Sequence, residues 1–331
     1  MELAVIGAGS WGTALADLAA RNGHQVRIWA RKQEVCDSIN TSHVNCRYLS
    51  DSVLDEKVVA YPTYAQVVTD ADAVCVVTPS SVLRDVAREL CGLVGPETPI
   101  VICSKGVEME TGLLPVDIFE QELGGAYRLA VLTGPNHAEE VILGRPAGTL
   151  VASSQESTAA LFQEVFGCPT FRTYISRDVI GAEVCAAFKN VVAIATGASY
   201  GYGLGDNTAA LLMTRGLAEM SRLVIACGGE SVTCMGLAGM GDLLATCMSE
   251  HSRNRTFGYK MAQGMTLEEY KAQTHMVVEG ALACKTIGAL AKRLDVELPI
   301  CDVVRGIVWE GKGIQETVSS LMSRSLKPEF Y

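Results

Sequence analysis

Lys189 is the residue whose surroundings point most directly to chemistry. It lies in the apolar segment 184–193, where its neighbours at helical spacing are Cys185, Val192 and Ala193. Burial lowers the pKa of an ammonium group toward neutrality, which suits a lysine that gives and takes a proton. The alternative is a structural lysine at a helix edge, with its ammonium group reaching solvent past the apolar side chains.

Three further positions could join this lysine. Lys105 and Asn136 follow the apolar runs 100–104 and 129–133, and ligands of α/β sheets bind beyond the carboxyl ends of such strands. Asp242 ends a small-residue loop that begins at Gly236. The structural alternatives are a solvated loop lysine at 105 and a helix N-cap at 242.

A hydroxyl, a guanidinium and an amide stand together at Ser252, Arg253 and Asn254, where a polar turn opens a helical stretch. Such side chains beside free helix N–H groups form a phosphate-binding cradle. An acidic protein needs such a basic site to bind an anionic substrate. The alternative is a solvated basic turn.

The fingerprint Gly7-x-Gly9-x-x-Gly12 lies between an apolar strand and an alanine-rich helix. In this context Gly7 permits the tight turn, Gly9 admits a pyrophosphate and Gly12 lets the helix pack closely on the strand. The pattern predicts a dinucleotide site, against the alternative of a strand-to-helix turn without a ligand.

The second predicted strand, 24–29, ends in Ala30, Arg31 and Lys32. NAD-specific folds usually carry an acid there for the ribose 2′-hydroxyl, whereas two bases suit a 2′-phosphate. The sequence therefore favours NADP(H), with NAD(H) as the other candidate and a solvated basic turn as the structural alternative.

These residues require a framework of alternating strands and helices. The predicted strands are 3–6, 24–29, 72–78, 100–104, 129–133 and 148–152, with 171–174 as an edge strand. Residues 40–54 are polar and irregular. From Asp178 onward the pattern is helical, with predicted helices at 178–198, 207–227, 279–294, 300–310 and 315–322 and a capping box at Thr266. We predict a Rossmann-type domain at 1–177 and a helical substrate domain at 178–331.

Composition excludes several classes of function. The 331 residues are 49% hydrophobic and 19% charged, with a net charge of −10, which disfavours nucleic acid and anionic membranes as main partners. The twelve cysteines show no CxxC motif, and the histidines no HxxxH motif, so we predict core thiols in a reducing cytoplasm and no metal. The uncharged stretch 3–16 is too short and too glycine-rich to span a membrane.

The chain resembles the NAD(P)-dependent sn-glycerol-3-phosphate dehydrogenases of the bacterial and plastid type. The motifs that carry the resemblance occur in the family's order along the whole chain. They are Gly7–Ala14, Ser104-Lys105-Gly106, Leu132–Pro135, Phe188-Lys189-Asn190, Gly239–Leu243, Ser252-Arg253-Asn254 and Val277–Gly280.

The resemblance implies a doubly wound parallel α/β sheet followed by an all-α domain, as in 6-phosphogluconate dehydrogenase. Together with the glycine motif, it assigns cofactor contacts to Gly7, Gly9, Ser10, Trp11, Gly12, Arg31, Lys32, Tyr48, Lys105, Ala138, Arg253, Val277 and Glu279. It assigns substrate contacts to Lys105, Gly134, Asn136, Lys189, Asp242, Ser252, Arg253 and Asn254. The family more often has Ser-Phe in place of Asn136-His137.

The implied activity is reversible reduction of dihydroxyacetone phosphate to sn-glycerol 3-phosphate, which feeds phospholipid synthesis. Lys189 would be the acid/base, Lys105 would stabilise the developing alkoxide and Asp242 would orient Lys189. A homodimer is typical of the family. Two other functions fit the residues less fully: a dehydrogenase of another hydroxy acid, and a nucleotide sensor without turnover.

Overall fold

The first half of the chain forms an eight-stranded sheet. The computed structural model describes residues 1–125, 127–274, 277–325 and 328–329. The strands are β1 (Glu2–Ile6), β2 (Gln25–Trp29), β3 (Val58–Tyr61), β4 (Ala73–Val76), β5 (Ile100–Ile102), β6 (Leu129–Thr133), β7 (Ala147–Ala152) and β8 (Phe171–Ser176). Their order across the sheet is β3-β2-β1-β4-β5-β6-β7-β8.

The sheet is parallel at every strand pair except β6 with β7, so the expectation of a wholly parallel sheet is wrong at that pair. Between these strands lies only one helical turn, Ala138–Val141. A parallel crossover usually needs a full helix, whereas a short connection lets the chain turn back. The reversal leaves the parallel strands β1 to β6 intact, and these carry the candidate site residues at their carboxyl ends.

Two elements of the first half differ from the sequence prediction. β3 was not predicted: it is a four-residue edge strand in which only Val58 and Ala60 are buried. The helix Gln33–Ser42 covers the first residues of the segment predicted to be irregular. Short edge elements depend on pairing with a neighbour, which local sequence pattern does not reveal.

Helices cover both faces of the sheet, and successive residues of β1 therefore enter opposite cores. Ala4 and Ile6 pack in one core and Leu3 and Val5 in the other. The helices of this half are α1 (Ser10–Arg21), α2 (Gln33–Ser42), α3 (Tyr64–Val68), α4 (Leu83–Leu90), α5 (Pro115–Leu123), α6 (Ala138–Val141) and α7 (Glu156–Phe166).

The second half is helical, as predicted from Asp178 onward. Its helices are α8 (Val179–Gly201), α9 (Asp206–Ala226), α10 (Asp242–Met248), α11 (Arg253–Ala262), α12 (Leu267–Thr274), α13 (Glu279–Arg293), α14 (Pro299–Glu310) and α15 (Ile314–Met322). By length and composition alone α8 could cross a membrane, but most of it is buried as the central helix of this half. The predicted capping box at Thr266 forms with Glu269.

Two buried glutamates on the central helices bind the N-termini of other helices. Glu183 on α8 accepts the N–H of Val116 in α5 at 2.9 Å. Glu219 on α9 accepts the N–H of Ile300 in α14 at 2.8 Å. Burial raises the pKa of Glu219 to about 7, although the backbone N–H groups it accepts oppose that rise. Both carboxyls therefore join distant segments around α8 and α9.

The predicted core thiols are buried at Cys75, Cys103 and Cys185. Cys227 is only half-buried, because it caps the C-terminus of α9 near the surface. All twelve cysteines are free.

Candidate active site

Two lysines share one buried carboxylate. Lys189 Nζ donates to Asp242 Oδ1 at 2.5 Å, and Lys105 Nζ donates to Asp242 Oδ2 at 2.8 Å. Lys189 is 7% exposed and Asp242 only 2%, so neither is a solvated surface charge. The structure thus brings together the three residues that the sequence singled out as catalytic, although they are 137 positions apart at the extremes.

Three elements position this lysine–aspartate–lysine group. Lys189 projects from the buried central helix α8. Lys105 lies just beyond the carboxyl end of β5, in the loop that leads toward α5. Asp242 begins α10 directly after a π-helical turn at Leu237–Gly241. The group therefore forms where the helical half meets the carboxyl edge of the sheet.

The segment before Asp242 is not the loop that the sequence predicted. The Gly241 N–H donates to the Gly236 carbonyl at 3.1 Å, five residues back, in the wide turn typical of a π-helix. The helical path is already under way at residue 242, so Asp242 is not an N-cap; α10 has no side-chain cap. This frees the Asp242 carboxylate for the two lysines.

Two threonines complete the immediate surroundings. Lys189 Nζ also donates to Thr246 Oγ1 at 2.8 Å, and the Thr246 hydroxyl donates to the Asp242 carbonyl at 2.6 Å. Thr133, the last residue of β6, donates to Asp242 Oδ2 at 3.5 Å. Sequence reasoning missed both; the signal for Thr246 was its position one helical turn after Asp242.

Burial and neighbouring charges shift the pKa values of the three residues in different directions. Burial lowers the pKa of Lys189 to about 8; the Asp242 carboxylate opposes this, and the nearby Lys105 charge adds to it. Burial also acts to lower the pKa of Lys105, but Asp242 outweighs it and the net direction is upward. For Asp242 the two ammonium groups outweigh burial and hold the pKa below its ordinary value. Lys189 is therefore the member suited to exchange a proton near neutral pH.

The predicted phosphate-binding residues lie at the start of α11. Ser252 is its N-cap and accepts the Arg255 N–H at 3.2 Å. Arg253 is exposed. Asn254 is buried: its amide donates to Asn190 Oδ1 at 2.9 Å and accepts the Gly280 N–H at 2.9 Å. Asn254 thus joins α8, α11 and α13, a structural task that the sequence did not indicate.

The glycine motif has the geometry of a dinucleotide-binding loop. Gly7 has φ +122°, and a Cβ there would lie 2.4 Å from the Val77 carbonyl oxygen. A Cβ at Gly12 would lie 1.8 Å from the Gly7 carbonyl oxygen, so α1 could not pack against β1 with any other residue. At Gly9, by contrast, a Cβ would meet nothing within 4 Å, which leaves open space in front of the loop.

These features fit a bound pyrophosphate. Gly9 is the N-cap of α1 and no side chain caps the helix, so the first N–H groups of the helix are available to a ligand. The buried Asn45 fixes the loop: its amide donates to the Ala8 carbonyl at 3.0 Å and to Thr13 Oγ1 at 2.8 Å. Sequence reasoning missed Asn45, which stands in a segment without a regular pattern.

The other predicted cofactor residues differ in their exposure to solvent. Arg31 and Lys32 are exposed just after β2, and Tyr48 is 45% exposed beyond the turn that Asn45 holds. Ala138 is buried at the start of α6. Val277 is exposed.

Glu279 begins α13, and its negative charge acts against the burial that lowers the pKa of Lys189.

Asn136 has an unused acceptor at this edge. Its Nδ2 donates to the Gly148 carbonyl at 2.9 Å, while Oδ1 is buried without a hydrogen-bond partner. A buried acceptor without a donor is unfavourable, so this oxygen fits a donor group of a ligand. Gly134 is packed tightly against Gly148 and Thr149, so a side chain there would fit only if these neighbours shifted.

Family models match both halves of the chain. The model described as NAD-dependent glycerol-3-phosphate dehydrogenase N-terminus matches residues 2–159, and the corresponding C-terminus model matches residues 178–319. Both belong to the family whose motifs the sequence resembles.

Individual relatives agree with these matches over the full length. The glycerol-3-phosphate dehydrogenases (NAD(P)+) of Corynebacterium aurimucosum and Trichlorobacter lovleyi are 45% and 44% identical, each over 99% of both chains. The crystal structure of glycerol-3-phosphate dehydrogenase from Coxiella burnetii aligns with a TM-score of 0.93 and 36% identity, covering 98% of this chain and 99% of that one. The predicted combination of a Rossmann-type half and a helical half is confirmed, and the chain belongs to the NAD-dependent glycerol-3-phosphate dehydrogenase family of oxidoreductases.

Proposed function

We propose that this chain reversibly reduces dihydroxyacetone phosphate to sn-glycerol 3-phosphate. The observation that carries the proposal is the buried group formed by Lys105, Asp242 and Lys189 at the carboxyl edge of the sheet. It offers one proton donor and one fixed positive charge beside a dinucleotide-binding loop. The names of full-length relatives support the choice of substrate.

The glycine loop Gly7–Gly12 would hold the reduced nicotinamide cofactor, which when bound would supply the hydride that reduces the ketone carbon. Lys189 donates a proton from Nζ to the ketone oxygen as negative charge develops there. Lys105 keeps its ammonium charge and stabilises that oxygen electrostatically. Asp242 and Thr246 hold Lys189 Nζ in place through hydrogen bonds, so little reorganisation accompanies proton transfer.

The substrate phosphate binds at the start of α11, with Ser252, Arg253 and Asn254 around it. The exposed Arg253 has room to approach a ligand, and remote phosphate binding holds the ketone in position. Asn254 lies behind them and keeps the helix start in place through its contacts with Asn190 and Gly280. Asn136 contributes its unused acceptor to the substrate hydroxyl.

We expect Arg253→Ala to raise the KM for dihydroxyacetone phosphate about 10- to 100-fold, the factor that corresponds to one charge-assisted hydrogen bond. Steady-state kinetics at saturating NADPH measure the effect. Arg324→Ala, which removes an exposed arginine paired with Glu297, is the matched control and should leave the KM unchanged. An unchanged KM in Arg253→Ala would show that the substrate phosphate does not bind at this helix start.

We expect kcat/KM for ketone reduction to fall as the pH rises through about 8. Burial lowers the pKa of Lys189 to about 8, and reduction requires its protonated form. The reverse oxidation requires the neutral amine, so its rate rises through the same range. Rates in both directions from about pH 6 to about pH 10 test this; parallel profiles in the two directions would contradict the assignment.

We further propose that NADPH is preferred over NADH, because Arg31 and Lys32 follow β2 where NAD-specific folds carry an acid. The test follows the absorbance of each reduced cofactor with purified protein and dihydroxyacetone phosphate. Rapid loss with NADPH supports both proposals, and loss mainly with NADH overturns only the preference. Folded protein that binds cofactor without consuming it would indicate a sensor or a dehydrogenase of another hydroxy acid.

We propose a homodimer in which the exposed apolar residues of α9, the turn after it and α10 meet a second copy. Ile225, Val232, Met235, Leu244 and Met248 are each at least 39% exposed, and such patches mark interaction surfaces. Light scattering tests this: the wild type should have twice the monomer mass and Met235→Glu a lower one. A monomeric wild type would refute the proposal.

We also propose that the chain acts in the cytoplasm, where its product supplies phospholipid synthesis. We further propose that residues 1–177 form the dinucleotide-binding domain and residues 178–331 the helical substrate-binding and catalytic domain. The free cysteines suit a reducing compartment. The two family models, which end at 159 and begin at 178, support the division.

A further inference from the structure

Two cations, Lys32 and Arg47, meet the Glu34 carboxylate just after the end of β2, where Arg31 adds a third positive charge in the chain. Glu34, in the first turn of α2, accepts a hydrogen bond from Arg47 Nη1 at 2.7 Å. The same oxygen, Oε1, lies 3.9 Å from Lys32 Nζ. Lys32 and Arg47 therefore both approach the same oxygen of Glu34, and Arg31 precedes Lys32 in the chain.

Hydrogen bonds through Asn45 connect the backbone at Arg47 to the dinucleotide-binding loop. Asn45 Oδ1 accepts the backbone N–H groups of Arg47 and Tyr48, both at 3.2 Å. The amide nitrogen of the same side chain donates to the Ala8 carbonyl in the glycine loop. One buried residue thus fixes the distance between Arg47 and the pyrophosphate-binding turn.

The charge of the cluster matches a phosphate monoester. Arg31, Lys32 and Arg47 carry three positive charges and Glu34 one negative charge, which leaves a net of about +2, whereas a phosphate monoester carries about −1.5 to −2 at neutral pH. The side chains of Lys32, Glu34 and Arg47 are 46%, 57% and 43% exposed, so they can exchange partners at little cost.

We propose that Arg47 is a third ligand of the NADPH 2′-phosphate and that Glu34 is the competing anion it leaves when that phosphate binds. The inference rests on the proposed use of NADPH. It makes Arg47 and Glu34 opposing determinants of cofactor choice: Arg47 strengthens binding of a 2′-phosphate, and Glu34 weakens it. NADH, which lacks the phosphate, leaves the Arg47–Glu34 pair in place.

Calorimetric binding of adenosine 2′,5′-bisphosphate and of 5′-AMP to the full chain tests the contact without turnover. We expect Arg47→Ala to weaken binding of the bisphosphate about tenfold and to leave 5′-AMP within twofold, as loss of one charge-assisted contact predicts. Glu34→Gln should tighten binding of the bisphosphate about threefold, and more at low salt than at high salt. The matched control is Arg177→Ala, which breaks another exposed 2.7 Å pair, with Glu156.

An Arg47→Ala protein that binds the bisphosphate within twofold of the wild type would overturn the inference, as would equal loss of both nucleotides. Kinetics with NADPH and NADH test the preference separately. A wild type that works better with NADH would refute the preference, while the calorimetric comparison would still decide whether Arg47 contacts the 2′-phosphate.

Discussion

We expect the Lys189→Ala enzyme to reduce dihydroxyacetone phosphate about a thousandfold more slowly than the wild type, within the range that general acid catalysis contributes. Lys189 is the only member of the buried group whose pKa falls near the working pH. Without it, the charge that develops on the ketone oxygen meets the Lys105 ammonium group but receives no positioned proton.

Stopped-flow absorbance at saturating NADPH and substrate measures this loss. Lys271→Ala, which removes an exposed lysine paired with Glu268, is the control and should retain wild-type turnover. Lys189→Arg keeps a positive charge but not a titratable proton donor, so it should be nearly as slow as Lys189→Ala. Turnover of Lys189→Ala within tenfold of the wild type would exclude Lys189 as the acid.

The second large effect is expected from Asp242→Asn. The substitution leaves the buried Lys189 and the partly buried Lys105 without their shared carboxylate. Loss of one partner of a buried pair destabilises a protein by about 3–5 kcal/mol. Since Asp242 opposes the pKa depression of Lys189, its removal lowers that pKa further below about 8. Ketone reduction should therefore slow about a hundredfold at neutral pH, and its pH profile should move to lower pH.

Denaturant unfolding gives the loss of stability, and the pH profile of kcat/KM gives the shift. Asp85→Asn, on the exposed surface of α4 beside Arg88, is the control for loss of an ordinary ion pair. A destabilised Asp242→Asn enzyme with the wild-type pH profile would mean that Asp242 supports the fold but does not set the proton affinity of Lys189.

Local pattern predicted most of the framework that carries this site. The apolar period of β1, the glycine turn and the long helices of the second half each follow from neighbouring residues, and the structure confirms them. The reversed pairing of β6 with β7 and the short edge strand β3 were not predictable in this way. Both depend on which strand lies alongside, which is a property of the whole sheet.

Local sequence pattern likewise predicted some features of the candidate site and missed others. The apolar stripe around Lys189 correctly indicated burial, and Lys105 was expected at the edge of the sheet. The direct bonds from both lysines to Asp242 could not be derived from spacing alone, because the chain brings them together from three distant elements. Asn45 and Thr246 were missed, since their roles consist of contacts with backbone and side chains elsewhere in the fold.

The buried carboxyl of Glu219 makes the stability of the folded chain depend on the pH at which the enzyme is used. Its pKa in the folded chain, about 7, lies above the ordinary value of 4.5, so the folded state holds this proton more tightly than the unfolded state. The stability this provides is fully present below about pH 4.5, declines as the pH rises and is gone above about 7. Oxidation of the alcohol is favoured above about pH 8, where Lys189 is neutral. An enzyme used for that direction therefore works where Glu219 is ionised and its contribution to the stability of the folded chain is lost.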